Sequence, residues 1–119
     1  MDPPWILSKG NALRGVCTNY DTLNDDHIIN CIPFDRLQEN GFLFIWVINA
    51  KYRFALQLFK KFGYHLVDEL VWAKQTVNGK IAKGHGYYLQ HAKETCLIGY
   101  KGDLGAKLKR GVDCDVIFS

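Results

Sequence analysis

The sequence predicts an α/β domain with helices layered against a mainly parallel sheet, and three observations lead there. Phe42-Leu43-Phe44-Ile45-Trp46-Val47-Ile48 is an unbroken apolar run, aromatic and β-branched, as a strand covered on both faces requires. A helical period follows at once, with Tyr52, Ala55, Leu56, Phe59 and Phe62 recurring at three- and four-residue steps. A second strand pattern begins at His65, so strand, helix and strand succeed one another as in a crossover unit.

Taken in order, the chain opens on Asp2-Pro3-Pro4-Trp5, a carboxylate, two prolines and an aromatic plane within one turn. Proline has a fixed φ and no N–H, so the pair makes a stiff, acceptor-only wall. Such a wall suits the exocyclic amine of adenine, whose lone pair is delocalised and whose nitrogen is a poor nucleophile. The Asp2 carboxylate and the Pro3 carbonyl can accept its N–H groups, leaving a tetrahedral nitrogen whose lone pair points at an electrophilic methyl group. Trp5 can stack on a base drawn out of its strand. Acceleration would come from positioning and electrostatic preorganisation. The competing reading is a stiff N-terminal turn with Trp5 as a buried anchor.

Ile6 to Asn19 is rich in small, polar and glycine residues and is expected to be a mobile loop, placed to act as a lid behind the tetrapeptide. Tyr20 either lines the same pocket or packs beneath that loop. Asn24 has the chemistry of a helix N-cap, and Asp25 and Asp26 suit the first turn of a short helix that ends near Cys31, before Pro33. Phe34 to Asn40 forms a second short turn or helix, closed by Gly41.

Beyond the apolar strand, Asn49 is expected to cap the crossover helix, which stops at Gly63. His65 to Lys74 forms the next strand, with Leu66, Leu70 and Trp72 on one face and Val67, Glu69 and Val71 on the other. Adjacent Asp68 and Glu69 therefore diverge and do not form a catalytic pair. Gln75 to His91 is a basic, glycine-bearing connection of a length that is usually functional or disordered in compact domains. Glu94 to Tyr100 reads as a strand, Lys101 to Gly111 as a second basic loop, and Asp113 to Phe118 as the last strand.

At 119 residues the chain holds one domain with room for a core. No apolar run approaches the roughly 20 residues of a membrane span, and nothing at the N-terminus resembles a signal peptide, so no membrane partner is expected. Cys17, Cys31, Cys96 and Cys114 show no metal-ligand spacing; they are expected to be reduced, mostly buried thiols, with no metal site. The net charge of +3 is unevenly spread. Met1 to Ala73 holds seven Lys/Arg against eight Asp/Glu, and Lys74 to Arg110 holds eight against two. That basic block, interleaved with Tyr87, Tyr88 and Tyr100, is either a solvated loop surface or the footprint of a polyanion.

Asp2-Pro3-Pro4-Trp5, Asn40-Gly41-Phe42-Leu43-Phe44-Ile45-Trp46-Val47 and His91-Ala92-Lys93-Glu94-Thr95-Cys96-Leu97-Ile98-Gly99 together resemble the MT-A70 family of adenine-N6 methyltransferases. Asn49-Ala50-Lys51 and Gly84-His85-Gly86 are most similar to the ciliate members that methylate adenine in DNA; the mRNA-methylating members are relatives. The resemblance implies a Rossmann-like class I methyltransferase fold binding S-adenosyl-L-methionine. It makes Asp2, Pro3, Pro4 and Trp5 the catalytic motif, with Asp2 and Pro4 beside the cofactor's methionine part and Lys93 on its carboxylate. Without the resemblance, Lys93 reads as a surface ammonium at a strand start.

The segments Ile6 to Tyr20 and Lys83 to His91 correspond to two active-site loops, so that Trp5, Tyr20, Lys83, His85 and His91 would meet the substrate. An intact motif implies the catalytic subunit, since members lacking its acid or its Trp are non-catalytic partners. The family also implies a heterodimer with such a paralogue, formed partly through the connection after Lys74. DNA, or alternatively RNA, would lie in a basic groove across both subunits, with further DNA-binding subunits possible, and the location would be nuclear. A non-catalytic, nucleic-acid-binding role is the remaining alternative. The family's strand before the motif and its ribose- and adenine-binding residues have no counterpart in 1–119, so the chain is expected to be the core fragment of such a domain, incomplete at both ends.

Overall fold

A computed structural model of the chain describes residues 1–5, 24–105 and 108–119. Tyr20, Cys17 and the expected lid over 6–19 lie outside the described residues. Helix α1 (Asp25–Cys31) starts where its cap predicts, with the Asn24 side chain accepting from the His27 N–H at 2.8 Å. A turn through 34–37 leads to strand β1 (Gly41–Val47), a 3₁₀ turn (Asn49–Lys51) and helix α2 (Tyr52–Lys61). Strands β2 (His65–Ala73), β3 (Lys93–Lys101) and β4 (Val116–Phe118) follow.

The sheet order is β1-β3-β2-β4, and here the expectation of a mainly parallel sheet is corrected. β3 pairs antiparallel with both β1 and β2, and only β2 and β4 are parallel neighbours. The chain turns straight back from β2 into β3, which inserts between the two strands joined by α2. β1, β2 and β4 nevertheless share one direction, so their carboxyl ends lie at the same end of the sheet. The last strand is also shorter than expected, beginning at Val116.

The expectation that β1 is covered on both faces is corrected: its residues alternate, and Phe42 and Phe44 are exposed on the second face. Leu43, Ile45 and Val47 are buried, and with Leu97 of β3 they face α2. From α2, Ala55, Leu58 and Phe59 enter this core, with Phe54, Leu56 and Phe62 packed at its margin. Tyr52, expected among the inward residues, is instead on the rim, and Leu58 takes the deep place. Close packing explains Gly99, where a methyl group would stand 3.1 Å from the Phe59 ring. Helix α2 ends as expected, in a capped turn. Gly63 takes φ +77°, and the Tyr64 N–H reaches back to the Phe59 carbonyl at 2.9 Å.

A β-bulge at Val67 resets the alternation of β2. Leu66 pairs with Gly99 and Asp68 with Ile98, so Leu66 shares a face with Glu69 and Val71 rather than with Leu70 and Trp72. Asp68 and Glu69 remain on opposite faces. On the sheet face away from α2, Phe42 and Phe44 stay partly open beside Ile98 and Leu70. Segments 102–105 and 108–115 stand over that face and enclose a cleft of about 940 Å³. The thiols are also less buried than expected, with Cys96 buried and Cys31 and Cys114 exposed.

Candidate active site

Met1 adds a rung along the outer edge of β1. The Trp46 N–H donates to the Met1 carbonyl at 2.9 Å, and the Met1 amine donates to the Phe44 carbonyl. Bonds to the two residues flanking Ile45 have the parallel pattern, so Asp2-Pro3-Pro4-Trp5 runs out past the carboxyl end of β1. There the Trp5 N–H donates to the Pro3 carbonyl at 2.9 Å, closing a three-residue turn around Pro4, whose fixed φ matches it. Pro3 is buried and Pro4 half-buried; the Pro3 carbonyl oxygen has a second lone pair beyond the bond from Trp5. Asp2 is exposed.

Trp5 is buried, as its reading as an anchor of the turn expects. Its indole is 5% exposed, bonded through its N–H to the Trp46 carbonyl at 3.1 Å and set edge-on to Phe54, with ring centroids 5.9 Å apart. These contacts anchor the turn to β1 and α2.

Because β3 runs the opposite way, its first residues reach the same end of the sheet. Lys93 pairs with Ala73 and Thr95 with Val47. The Lys93 ammonium donates to the hydroxyl of Thr95, itself 3% exposed, at 2.9 Å. Burial pushes the Cys96 thiol up from its ordinary range; the Met1 ammonium opposes the rise and the Asp2 carboxylate adds to it. Here the acid of the motif, the Pro3 carbonyl and the Lys93 cation meet the carboxyl ends of β1, β2 and β4. In open α/β sheets that is where ligands bind.

His91 joins this end through the 3₁₀ turn, its Nε2 lying 3.5 Å from the Asn49 side-chain nitrogen. Asn49, expected to cap α2, instead opens the 3₁₀ turn; Lys51 holds the α2 cap position and makes no side-chain cap bond. Lys83 and His85 are exposed along the 75–91 connection, which is tied rather than structureless. Gln75 bridges to Ile81, and Gly84 and His91 exchange bonds of 2.7 and 3.2 Å. Among the described residues, neither main cleft touches the tetrapeptide, Lys93 or His91: one lies under 102–105 and 108–115 and the other, of about 490 Å³, between the ends of α1 and α2. The site is an open edge, recognised by converging strand ends.

Sequence reasoning assigned Thr95 no role at the site and Asn49 only that of a helix cap. Thr95 stands two residues beyond Lys93 on one strand, and that spacing alone places the pair on one face.

The MT-A70 family profile matches residues 1–119, the whole chain. The chain belongs to the MT-A70 family. It is 36% identical over 118 residues to an "N(6)-adenosine-methyltransferase MT-A70-like protein" of Drosophila melanogaster, covering 98% of this chain and 18% of that protein. To the human "N(6)-adenosine-methyltransferase catalytic subunit METTL3" it is 36% identical over 119 residues, 98% of this chain and 19% of the relative. To the Arabidopsis thaliana "N6-adenosine-methyltransferase non-catalytic subunit MTB" it is 26% identical over 129 residues, 100% of this chain and 16% of that one. This MT-A70 chain thus spans less than a fifth of the length of these relatives.

Proposed function

We propose that this chain is the catalytic core of an adenine-N6 methyltransferase with a Rossmann-like class I fold, using S-adenosyl-L-methionine and acting on DNA. The observation that carries it is the intact Asp2-Pro3-Pro4-Trp5 turn at the carboxyl end of β1, with Lys93 at the same end of the sheet. In this reading Asp2 and the Pro3 carbonyl accept the N–H groups of the target amine, and Trp5 fixes the turn that aims them. The exposed cation of Lys93, steadied by Thr95, fits the cofactor's methionine carboxylate, with Asp2 and Pro4 nearby. When bound, the cofactor supplies an electrophilic methyl group. Transfer releases one proton from the amine, and the exposed Asp2 carboxylate can pass it to water. His91, Lys83 and His85 line the approach of the nucleic acid, and a non-catalytic MT-A70 paralogue is its partner; a nuclear location follows from the substrate.

A DNA substrate is supported by Asn49-Ala50-Lys51 and Gly84-His85-Gly86. An RNA substrate is the second reading, favoured by the relatives whose names carry adenosine. The full-length protein with its partner is to be given labelled methyl donor and matched DNA and RNA oligonucleotides. Transfer to adenine N6 in DNA, abolished by Asp2→Ala without unfolding, is the expected result. Transfer to RNA alone selects the second reading. No transfer to either overturns the enzyme.

A further inference from the structure

We infer that Tyr87 and Tyr88 form a stacking platform for an unpaired nucleic-acid strand beside the methylation site, an inference that rests on the function proposed above. Tyrosine rings are usually at least half buried. Here Tyr87 is 80% and Tyr88 90% exposed, although both sit on a loop tied at its base. Their ring centroids are 4.7 Å apart at 71°, so each ring steadies the other while leaving a face open.

The loop beneath them is fixed at both ends. Gly84 and His91 exchange two backbone bonds, the Lys74 N–H donates to the Ala92 carbonyl at 2.8 Å, and Asn49 stands against the His91 ring. Gly86 packs so tightly that a methyl group there would lie 1.7 Å from the Leu89 carbonyl oxygen and 2.9 Å from the His91 ring. The tyrosines therefore project from the loop whose base adjoins the Lys93 end of β3. A platform held in place loses little entropy on binding.

Charge selects the occupant. Lys80, Lys83 and His85 are exposed on the same 75–91 connection as the tyrosines, and among the described residues neither lysine is in an ion pair, whereas Lys74 pairs with Glu94. Cations matched to phosphates beside aromatic faces matched to bases are the two components of single-strand binding. A duplex hides its base faces within the stack, so only an unpaired or extruded base can use the rings.

The test measures binding of the full polypeptide to short fluorescent oligonucleotides, as single-stranded DNA, single-stranded RNA and duplex DNA, by anisotropy without methyl donor. Tyr87→Ala and Tyr88→Ala are each expected to weaken single-strand binding about tenfold. Duplex affinity and the salt dependence should stay the same, and Tyr88→Phe should keep full affinity. Lys83→Ala should instead lower the salt slope by about one. Retained single-strand affinity in both alanine variants overturns the platform, as does an equal loss on duplex. Loss of association with a partner subunit in sedimentation, with oligonucleotide affinity unchanged, also overturns it and assigns the rings to a protein contact. Ring-dependent binding without methyl transfer would sink the enzyme and leave the platform; methyl transfer with ring-independent binding would do the reverse.

Discussion

The indole N–H of Trp5 donates to the main-chain carbonyl of Trp46 across 3.1 Å, tying the Asp-Pro-Pro-Trp turn to the carboxyl end of β1. The bond and the edge-on contact with Phe54 make Trp5 both core residue and hinge of the motif. Trp5→Phe should keep most of the packing and lose the bond, costing about 1 kcal/mol of stability. Trp5→Ala should cost about 3–5 kcal/mol. Urea unfolding of both variants checks this. A Trp5→Phe protein of wild-type stability that had lost all methyl transfer would return the indole to a role on the substrate.

Gly99 is where α2 rests on the sheet. Gly99→Ala brings a methyl group 3.1 Å from the ring of Phe59, itself buried in the core, so the ring must shift by a few tenths of an ångström. A loss of about 1–3 kcal/mol is expected in chemical denaturation. Combining it with Phe59→Leu should recover part of that loss, because the two changes meet at one contact.

How far the sequence could be read follows from what each pattern encodes. The cap of α1 and the Gly63 stop were legible because each depends on residues a few positions apart; the covering of β1 was not, since Leu43, Ile45 and Val47 are buried but Phe42 and Phe44 stay exposed. The neighbour of β1 was not legible either. An apolar run does not state which strand lies beside it, and β3 comes about fifty residues later. The Val67 bulge was equally hidden, since nothing in His65 to Ala73 breaks the alternation that the bulge resets. At the candidate site, the tetrapeptide and Lys93 stood out by residue type. The enclosure of Trp5 and the contact of Asn49 with His91 depend on tertiary packing, and no local spacing encodes them.

Cys96 makes a pH prediction. Burial raises its folded pKa above the ordinary thiol value of 9.0, so the folded state holds this proton more tightly than the unfolded chain. Its contribution to stability is complete below about pH 9.0 and falls as pH rises through the folded pKa. Unfolding midpoints measured on either side of that value should show the loss, and Cys96→Ser should reduce it. At neutral pH, iodoacetamide should label exposed Cys31 and Cys114 well before Cys96.

The Lys93–Thr95 pair separates steadying from charge. Thr95→Val keeps the shape of a buried side chain and removes the acceptor of the Lys93 ammonium. Stability should change by less than about 1.5 kcal/mol. Calorimetry of the full-length protein should show methyl-donor affinity weakened severalfold in Thr95→Val and more strongly in Lys93→Ala. Equal, undiminished affinity in both variants would remove Lys93 from the cofactor site.

Gly86 tests whether the shape of the 84–91 loop matters apart from overall folding. A Cβ at this position overlaps the Leu89 carbonyl oxygen, so Gly86→Ala must rebuild the turn that carries Tyr87 and Tyr88. The loop is exposed and lies beyond the strands, and its core contribution is small. Thermal unfolding should therefore move little, by about 0.5 kcal/mol or less. Methyl transfer and single-strand binding should both fall, and hydrogen exchange should quicken at the Gly84 and His91 amides, which carry the rung that closes the loop. If exchange quickens while both activities persist, loop shape is not needed for function. If activity falls with exchange unchanged, the added methyl group acts on the substrate directly.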